Sequence, residues 1–447
     1  MNAHVVDSAY LGDLFGTDEM RAIFSDRSRM QSWLDFEAAL ARAEAAEGVI
    51  PAAAAAEITR RSRADLFDPA LIREGVHRTG HPLVTLIRQL AALCDGNAGG
   101  FVHWGATTQD VTDTGLVLQL KEALALIERD LEAVAAALAG LARAERDTLM
   151  PGRTHGQHAT PITFGFKVAG WLDEVERHRG RLAQLRKRVL VGELAGASGT
   201  LASLGEPGLA VQQRMMADLG LGVPAIGWHA SRDRFAETVG LLALVASTMG
   251  RISHEVVLLQ ATEVAEVEEP FQRGKVGSST MPHKRNPMLC EAIMAQARLC
   301  RALVPAALES MGAAEHERDW SAVHTEWATV PEACLLAGGA VAQMTGLLAD
   351  LIVYRDRMRA NANLTRGLIL SEAVMLRLGQ TLGRQIAHDV VYDASMAAYE
   401  QGRPLRDLLL ADPRVTERVA PADLDALLRP EAYTGLAGYF VDRVTGG

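Results

Sequence analysis

LKEALALIERDLEAVAAALAGL (120–141) is the stretch that decides the fold. Its apolar residues Leu120, Leu124, Ile127, Leu131, Val134, Leu138 and Leu141 are spaced alternately by four and by three. Such a seam is what a helix buries against partner helices lying nearly parallel to it. The pattern predicts one helix over 110–143, about 50 Å long at the usual rise per residue. Two more long apolar segments, 235–267 and 289–311, follow it. The first carries few charges before Arg251, which suits the inside of a bundle rather than its surface. Helices this long exceed what one monomeric core needs, and they point to assembly through helices.

Outward from this bundle the signals shorten. Over 28–47, Met30, Trp33, Phe36, Leu40 and Ala43 share one helical face, and Gly48 with Pro51 end the run. From about Val353 onward, Pro404, Pro413 and Pro430 break the chain into short helices. Of the 447 residues 49% are apolar but only 5% aromatic, a balance that favours helix packed on helix. The expected class is therefore all-α, in three helical domains: 1–102, a central long-helix bundle over 103–350, and 351–447.

A formal charge of −10 argues against a nucleic-acid partner, which usually requires a basic stripe. The cysteines Cys94, Cys290, Cys300 and Cys334 show neither a C-x-x-C pair nor zinc-like spacing, so reduced, buried thiols are expected. The start MNAHVVDSAYLGDLF lacks a basic region followed by an apolar run. The longest uncharged helical stretch, 238–250, is too short to span a bilayer. A cytoplasmic protein with no membrane partner is expected.

Three islands interrupt the helical pattern: HWGATTQD (103–110), GRTHGQHATP (152–161) and RGKVGSSTMPHKRNP (273–287). In the third, Gly274 and Gly277 bracket a segment that cannot be helical, and Pro282 and Pro287 remove two backbone donors. Lys284 and Asn286 offer donors to a carboxylate, or to the enolate-like oxygen that develops as a proton leaves carbon. A serine hydroxyl such as Ser278 becomes a base only when desolvated beside cationic or backbone donors. The spacing of a phosphate-gripping P-loop is absent. In the second island, a His155/His158 pair without acidic or cysteine partners at helical spacing is a poor metal site. His155 suits general acid work instead, because imidazole titrates near neutrality; His158 suits a structural role. That island reads as a turn entering a helix. In the first island, Thr107, Thr108 and Gln109 either cap the following helix or, at its N-terminus, receive a carboxylate.

GSSTMPHKRNP (277–287) resembles the signature loop of the fumarase/aspartase superfamily, G-S-S-x-M-P-x-K-x-N-P, and the likeness runs from about Phe24 to the C-terminus. The resemblance implies Ser278 as catalytic base and Lys284 and Asn286 as residues that hold the substrate carboxylate and the intermediate, with Ser279 and Met281 lining the same site. G-R-T-H matches a family segment that contacts substrate, giving Thr154 a binding role and His155 that of proton donor, paired with Glu291 as in the adenylosuccinate lyase branch. VHWGATTQD resembles the family's carboxylate cradle of Thr107, Thr108 and Gln109. His81 in TGHPLV and Arg232 and Arg234 in SRDR match further segments of that branch, as substrate contacts or as structural ion pairs. The fold so implied is three helical domains in a homotetramer whose active sites each draw on three subunits, without metal or cofactor.

Two branches compete for the reaction. The stretches 24–51, GASGTLASLG (196–205) and AEHERDW (314–320) look most like 3-carboxy-cis,cis-muconate cycloisomerase, whose bacterial members do not consistently keep the G-R-T-H histidine or the glutamate after the signature. Here both His155 and Glu291 are present. Adenylosuccinate lyase itself is disfavoured, because LFGTDEM (14–20) replaces its nucleotide-binding segment. The expectation is a lyase acting on a small succinyl-type dicarboxylate, at a C–N bond, with release of fumarate; lactonising cycloisomerisation is the alternative. A non-catalytic structural homologue, as recruited in the eye lens, would be expected to lose Ser278 or Lys284, and both remain.

Overall fold

The computed structural model describes residues 4–271, 280–281, 283–312 and 315–446. The chain is 70% helical, in keeping with the all-α class. The seam at 120–141 lies in a single 37-residue helix, Thr108–Ala144. Leu120, Leu124, Ile127, Leu131, Val134 and Leu138 are each fully buried, and Leu141 is half-buried near the helix end. The helix Asp26–Ala46 buries the expected Met30, Trp33, Phe36, Leu40 and Ala43. It starts at Ser25, whose side chain accepts from the Ser28 N–H at 3.2 Å and satisfies one orphan donor of the first turn.

Two expected long helices are shorter. The segment 235–267 forms Asp233–Gln260 and then leaves helix, reaching a two-residue strand, Val267–Glu268. The segment 289–311 splits into Met288–Ala302 and Val304–Gly312. Pro305 lies at the break, and its ring and missing N–H forbid an uninterrupted ladder. Asp233–Gln260 and Trp320–Ala349 are long and apolar enough to cross a membrane by length and composition, yet 56% and 67% of their apolar windows are buried inside the protein. That burial marks them as core helices.

The chain packs as two compact units, neither continuous in sequence. The first comprises 1–131, 178–250 and 292–342; the second comprises 132–177, 251–291 and 343–447. Within the second, Val374, Leu378, Val390, Leu405, Leu409 and Leu424 centre a separate cluster among the C-terminal helices. That unit also holds an antiparallel hairpin, Leu149–Thr154 with Gln157–Thr163. The island expected as a turn entering a helix is thus a hairpin, and the next helix begins only at Phe164. The turn residues explain it. His155 and Gly156 have φ of 52° and 73°, the left-handed pair that a two-residue turn needs to match the twist of its strands.

Candidate active site

The first unit carries His81, Thr107, Thr108, Gln109, Arg232 and Arg234; the second carries Thr154, His155, Met281, Lys284, Asn286 and Glu291. Ser278 and Ser279 lie outside the described residues.

In the first unit the organising residue is Asp110, which is fully buried. Its Oδ2 accepts from the N–H of Thr107 at 2.9 Å, closing the start of the long helix as a carboxylate three residues inside it can. The same oxygen accepts from the N–H of Gly196, and Oδ1 accepts from that of Ala195, both at 3.0 Å. His229 Nε2 lies 2.7 Å from Oδ1. One carboxylate therefore ties the HWGATTQD island to the GASG segment and to His229.

Above this anchor sits Thr108, whose hydroxyl is 3.1 Å from His81 Nε2. His81 Nδ1 accepts from the Val84 N–H at 3.3 Å as the cap of the helix Pro82–Leu93. With Nδ1 accepting, the proton of a neutral ring sits on Nε2 and points at the Thr108 oxygen. Burial, and then the charge of His103, hold the His81 pKa below its ordinary value, which favours that neutral form. The Thr108 hydroxyl proton is left free to donate elsewhere.

Gln109 takes a different part from the one expected. It is fully buried, and its amide donates to Asp113 at 3.1 Å and to the His229 carbonyl at 2.9 Å. Its oxygen accepts from Arg318 at 2.9 Å, and Arg318 also donates to the Ala197 carbonyl. Both amide hydrogens are committed, so Gln109 positions the island rather than grips a ligand. Arg232, 2% exposed, forks Asp113 at 2.6 and 3.0 Å and also holds Glu326. Arg234 donates to the Arg188 carbonyl and lies 5.0 Å from the Trp228 ring centre. Arg232 thus sits in a buried ion pair, whereas Arg234, half-buried, makes no ion pair among the described residues.

Asp110, Glu193 and His229 place ligand-type atoms within 4.8 Å of one another. Their lone pairs are largely spent within the protein: the Glu193 carboxyl accepts the Trp228 N–H at 2.9 Å. Burial, and then the charges of Asp110 and Asp113, push the Glu193 pKa up to about 9. That describes a protonated, hydrogen-bonded acid.

In the second unit the contrast is immediate. Thr154, His155 and Gly156 form an exposed hairpin tip. Below it Arg153 forks the buried Glu266 at 2.9 and 2.6 Å, which stiffens the strand leading to the tip. Lys284 and Glu291 are exposed, Asn286 is half-buried and Met281 is 44% exposed. Among the described residues, the side chains of His155, Lys284 and Glu291 make no hydrogen bond or ion pair. Glu269 caps the helix Met288–Ala302, accepting from the Leu289 and Cys290 N–H groups at 3.2 and 2.6 Å, and so fixes where Glu291 stands. His158 is half-buried; burial and the Arg153 charge hold its pKa below the ordinary value, which suits a structural ring.

The network around Asp110, Asp113, Arg232, Arg318 and Glu326 was not singled out from sequence as one assembly. Its one local signal is Gln109, Asp110 and Asp113 at helical spacing in the first turns of the long helix.

The comparisons with known proteins identify the family. Residues 15–301 match the model of a family described as lyase, and residues 367–444 match that of the adenylosuccinate lyase C-terminus. The chain is 47% identical to 3-carboxy-cis,cis-muconate cycloisomerase of Pseudomonas aeruginosa, over 95% of this chain and 93% of the relative. It is 44% identical to N-acetyl-S-(2-succino)cysteine lyase of Dickeya dadantii, over 99% and 97%. The solved 3-carboxy-cis,cis-muconate lactonizing enzyme from Pseudomonas putida superposes with a TM-score of 0.93 at 42% identity, covering 98% of both chains. With the signature residues, the hairpin histidine and these matches together, the chain belongs to the fumarase/aspartase superfamily of lyases.

Proposed function

We propose that this enzyme eliminates a heteroatom leaving group from a succinyl-type dicarboxylate and releases fumarate. Ser278 takes a proton from the carbon next to one carboxylate. The electron pair of that C–H bond becomes the new C=C bond as the neighbouring carbon–heteroatom bond breaks, and the heteroatom takes a proton from His155. Lys284 and Asn286 bear the negative charge that develops on the carboxylate during proton removal. Thr108, aimed by His81, receives the second carboxylate. The observation that carries this reading is His155 itself, a donor on a stiffened hairpin tip with its imidazole otherwise uncommitted. A departing amine needs such a donor, and a departing thiolate gains from one. The relative that acts on N-acetyl-S-(2-succino)cysteine adds sulfur to the nitrogen leaving groups expected from sequence.

The second reading, lactonising cycloisomerisation of 3-carboxy-cis,cis-muconate, is favoured by the 47% relative and by the solved lactonizing enzyme. Assaying purified protein against N-substituted aspartates, S-succinylated cysteines and the muconate separates the two. Fumarate, identified by mass, from a succinyl adduct supports elimination. Loss of the muconate chromophore without fumarate supports the cycloisomerase and sinks the first reading.

The assembly we propose is a homotetramer in which Ser278 and His155 of one site come from different subunits. The exposed hairpin tip and the exposed Lys284 support this, since a catalytic donor needs a desolvated pocket around it. Ser278→Ala and His155→Asn enzymes, each inactive, should recover about a quarter of full activity when unfolded and refolded together in equal amounts, from random mixing of subunits in a symmetric assembly. No recovery would place both residues in one subunit.

A further inference from the structure

Beside the signature residues, in the second unit, lies an arrangement that the mechanism above leaves unused. Val267–Glu268 pairs antiparallel with Ile352–Val353, and this small ribbon brings together Glu268 and Tyr354, the residue after the second strand. Glu268 is 8% exposed. Its Oε1 accepts from Arg285 Nη1 at 2.8 Å, and its Oε2 accepts from the Tyr354 hydroxyl. The Arg285 guanidinium also lies 4.0 Å from the ring centre of Phe271. A second tie runs in parallel: Gln260 donates its amide to the Arg285 carbonyl at 3.1 Å and accepts from the Glu269 N–H at 3.0 Å. The residues just before 272 and those from 285 onward, which bracket Ser278 in sequence, are thus fastened to each other and to the ribbon.

Arg285 stands between Lys284 and Asn286, so its anchoring sets where both neighbours start from. The Arg285 side chain is itself 48% exposed and reaches Glu268 through one hydrogen bond, so solvent partly screens the pair, and what fixes the guanidinium is that bond together with its contact to Phe271. The phenol completes the carboxylate's coordination and restricts its rotation.

We propose that Arg285, Glu268 and Tyr354 are positioning residues for catalysis: they form a lock that fixes the placement of Lys284 and Asn286 at the substrate carboxylate. The lock rests on the roles given to Lys284 and Asn286 in the proposed function. The bond to Glu268, ahead of burial, raises the Tyr354 pKa above its ordinary value, and this gives the lock a signature of its own.

The test uses the full-length enzyme with Tyr354→Phe, Glu268→Gln, Arg285→Lys and Arg285→Ala, on whichever substrate the assay panel identifies. A displacement of about 1 Å at a reacting group can cost up to about 100-fold, so Tyr354→Phe and Glu268→Gln should each lower kcat/KM by about 10-fold or more. KM should rise as well, since carboxylate binding is disturbed along with turnover. Arg285→Lys should recover part of what Arg285→Ala loses. A merely structural tie would instead lower Tm and leave kcat and KM of the folded enzyme unchanged; that outcome overturns the proposal. Spectroscopic titration of the phenol, as the difference between the parent protein and Tyr354→Phe, needs no substrate. It should show Tyr354 ionising above its ordinary range and returning toward it in Glu268→Gln. An ordinary phenol in the parent protein refutes the lock itself. An inactive parent protein with a raised phenol would instead fault the proposed function and leave the lock standing.

Discussion

The two ends of the proposed chemistry are built in opposite ways. Around Asp110 nearly every polar atom has a partner: four donors converge on one carboxylate, Arg232 is forked by Asp113 and held by Glu326, and Gln109 spends both amide hydrogens inside the protein. At the hairpin tip and after the signature, His155, Lys284 and Glu291 stand exposed without side-chain partners among the described residues. The difference separates support from action. A residue whose hydrogen bonds are all satisfied can only hold others in place, because engaging a ligand would leave a buried group unpaired. A residue that carries chemistry must keep capacity in reserve, and so stands where its own fold does not use it. Thr108 lies at the boundary, its oxygen aimed by His81 and its proton still available.

Mutation should therefore separate activity from stability in opposite senses at the two places. His155→Asn is the sharpest probe at the tip, because asparagine tolerates the left-handed backbone that φ of 52° demands and so keeps the turn. Loss of a general acid costs about 10²–10⁴-fold, so kcat should fall by that factor while Tm hardly moves. A fall in Tm matching the loss of activity would mean the tip is scaffold after all. Arg232→Met is the reverse probe. It leaves Asp113 and Glu326 buried without their cation, a change worth about 3–5 kcal/mol of stability. Denaturant unfolding should register that loss, and the protein that remains folded should keep its KM. A large KM change in a stable variant would return Arg232 to the substrate.

What the sequence made legible follows the same division. The seam from Leu120 to Leu138 shows itself because helix burial is periodic, and the signature residues show themselves because their chemistry needs fixed spacing along one segment. The hairpin was missed because His155-Gly156 is an unusual pair for a primed turn, where Asn-Gly or Asp-Gly is the usual sign. The network at Asp110 was missed for a deeper reason. Asp113, Arg232, Arg318 and Glu326 come from four places in the chain, and only tertiary packing brings opposite charges together. Local pattern cannot distinguish a buried ion pair from a solvated one. Sequence therefore leaves Arg232 between two roles, and its burial between two carboxylates places it in an ion pair.

The smallest expected effect tests whether the support region is electrostatically closed. Glu193 is buried beside Asp110 and Asp113, and its pKa is raised from 4.5 to about 9. Between those limits the folded protein keeps a proton that the unfolded chain releases. The unfolded state then binds fewer protons, so this group's contribution to stability falls as pH rises across the window. Glu44, whose oxygens have no hydrogen-bond partner among the described residues and whose pKa is pushed up to about 8 by burial and by Glu37, adds a slope of the same sign. Glu193→Gln mimics the protonated acid and cannot ionise, so its stability should exceed that of the parent by about 1–3 kcal/mol at pH 8. The advantage should shrink as pH falls toward 4.5 and vanish below about pH 3.5, where the parent carboxyl is protonated in both states. Urea unfolding at a series of pH values reads both limits. Were the variant less stable at pH 8, Glu193 would have to be ionised in the fold, with a cation beside it.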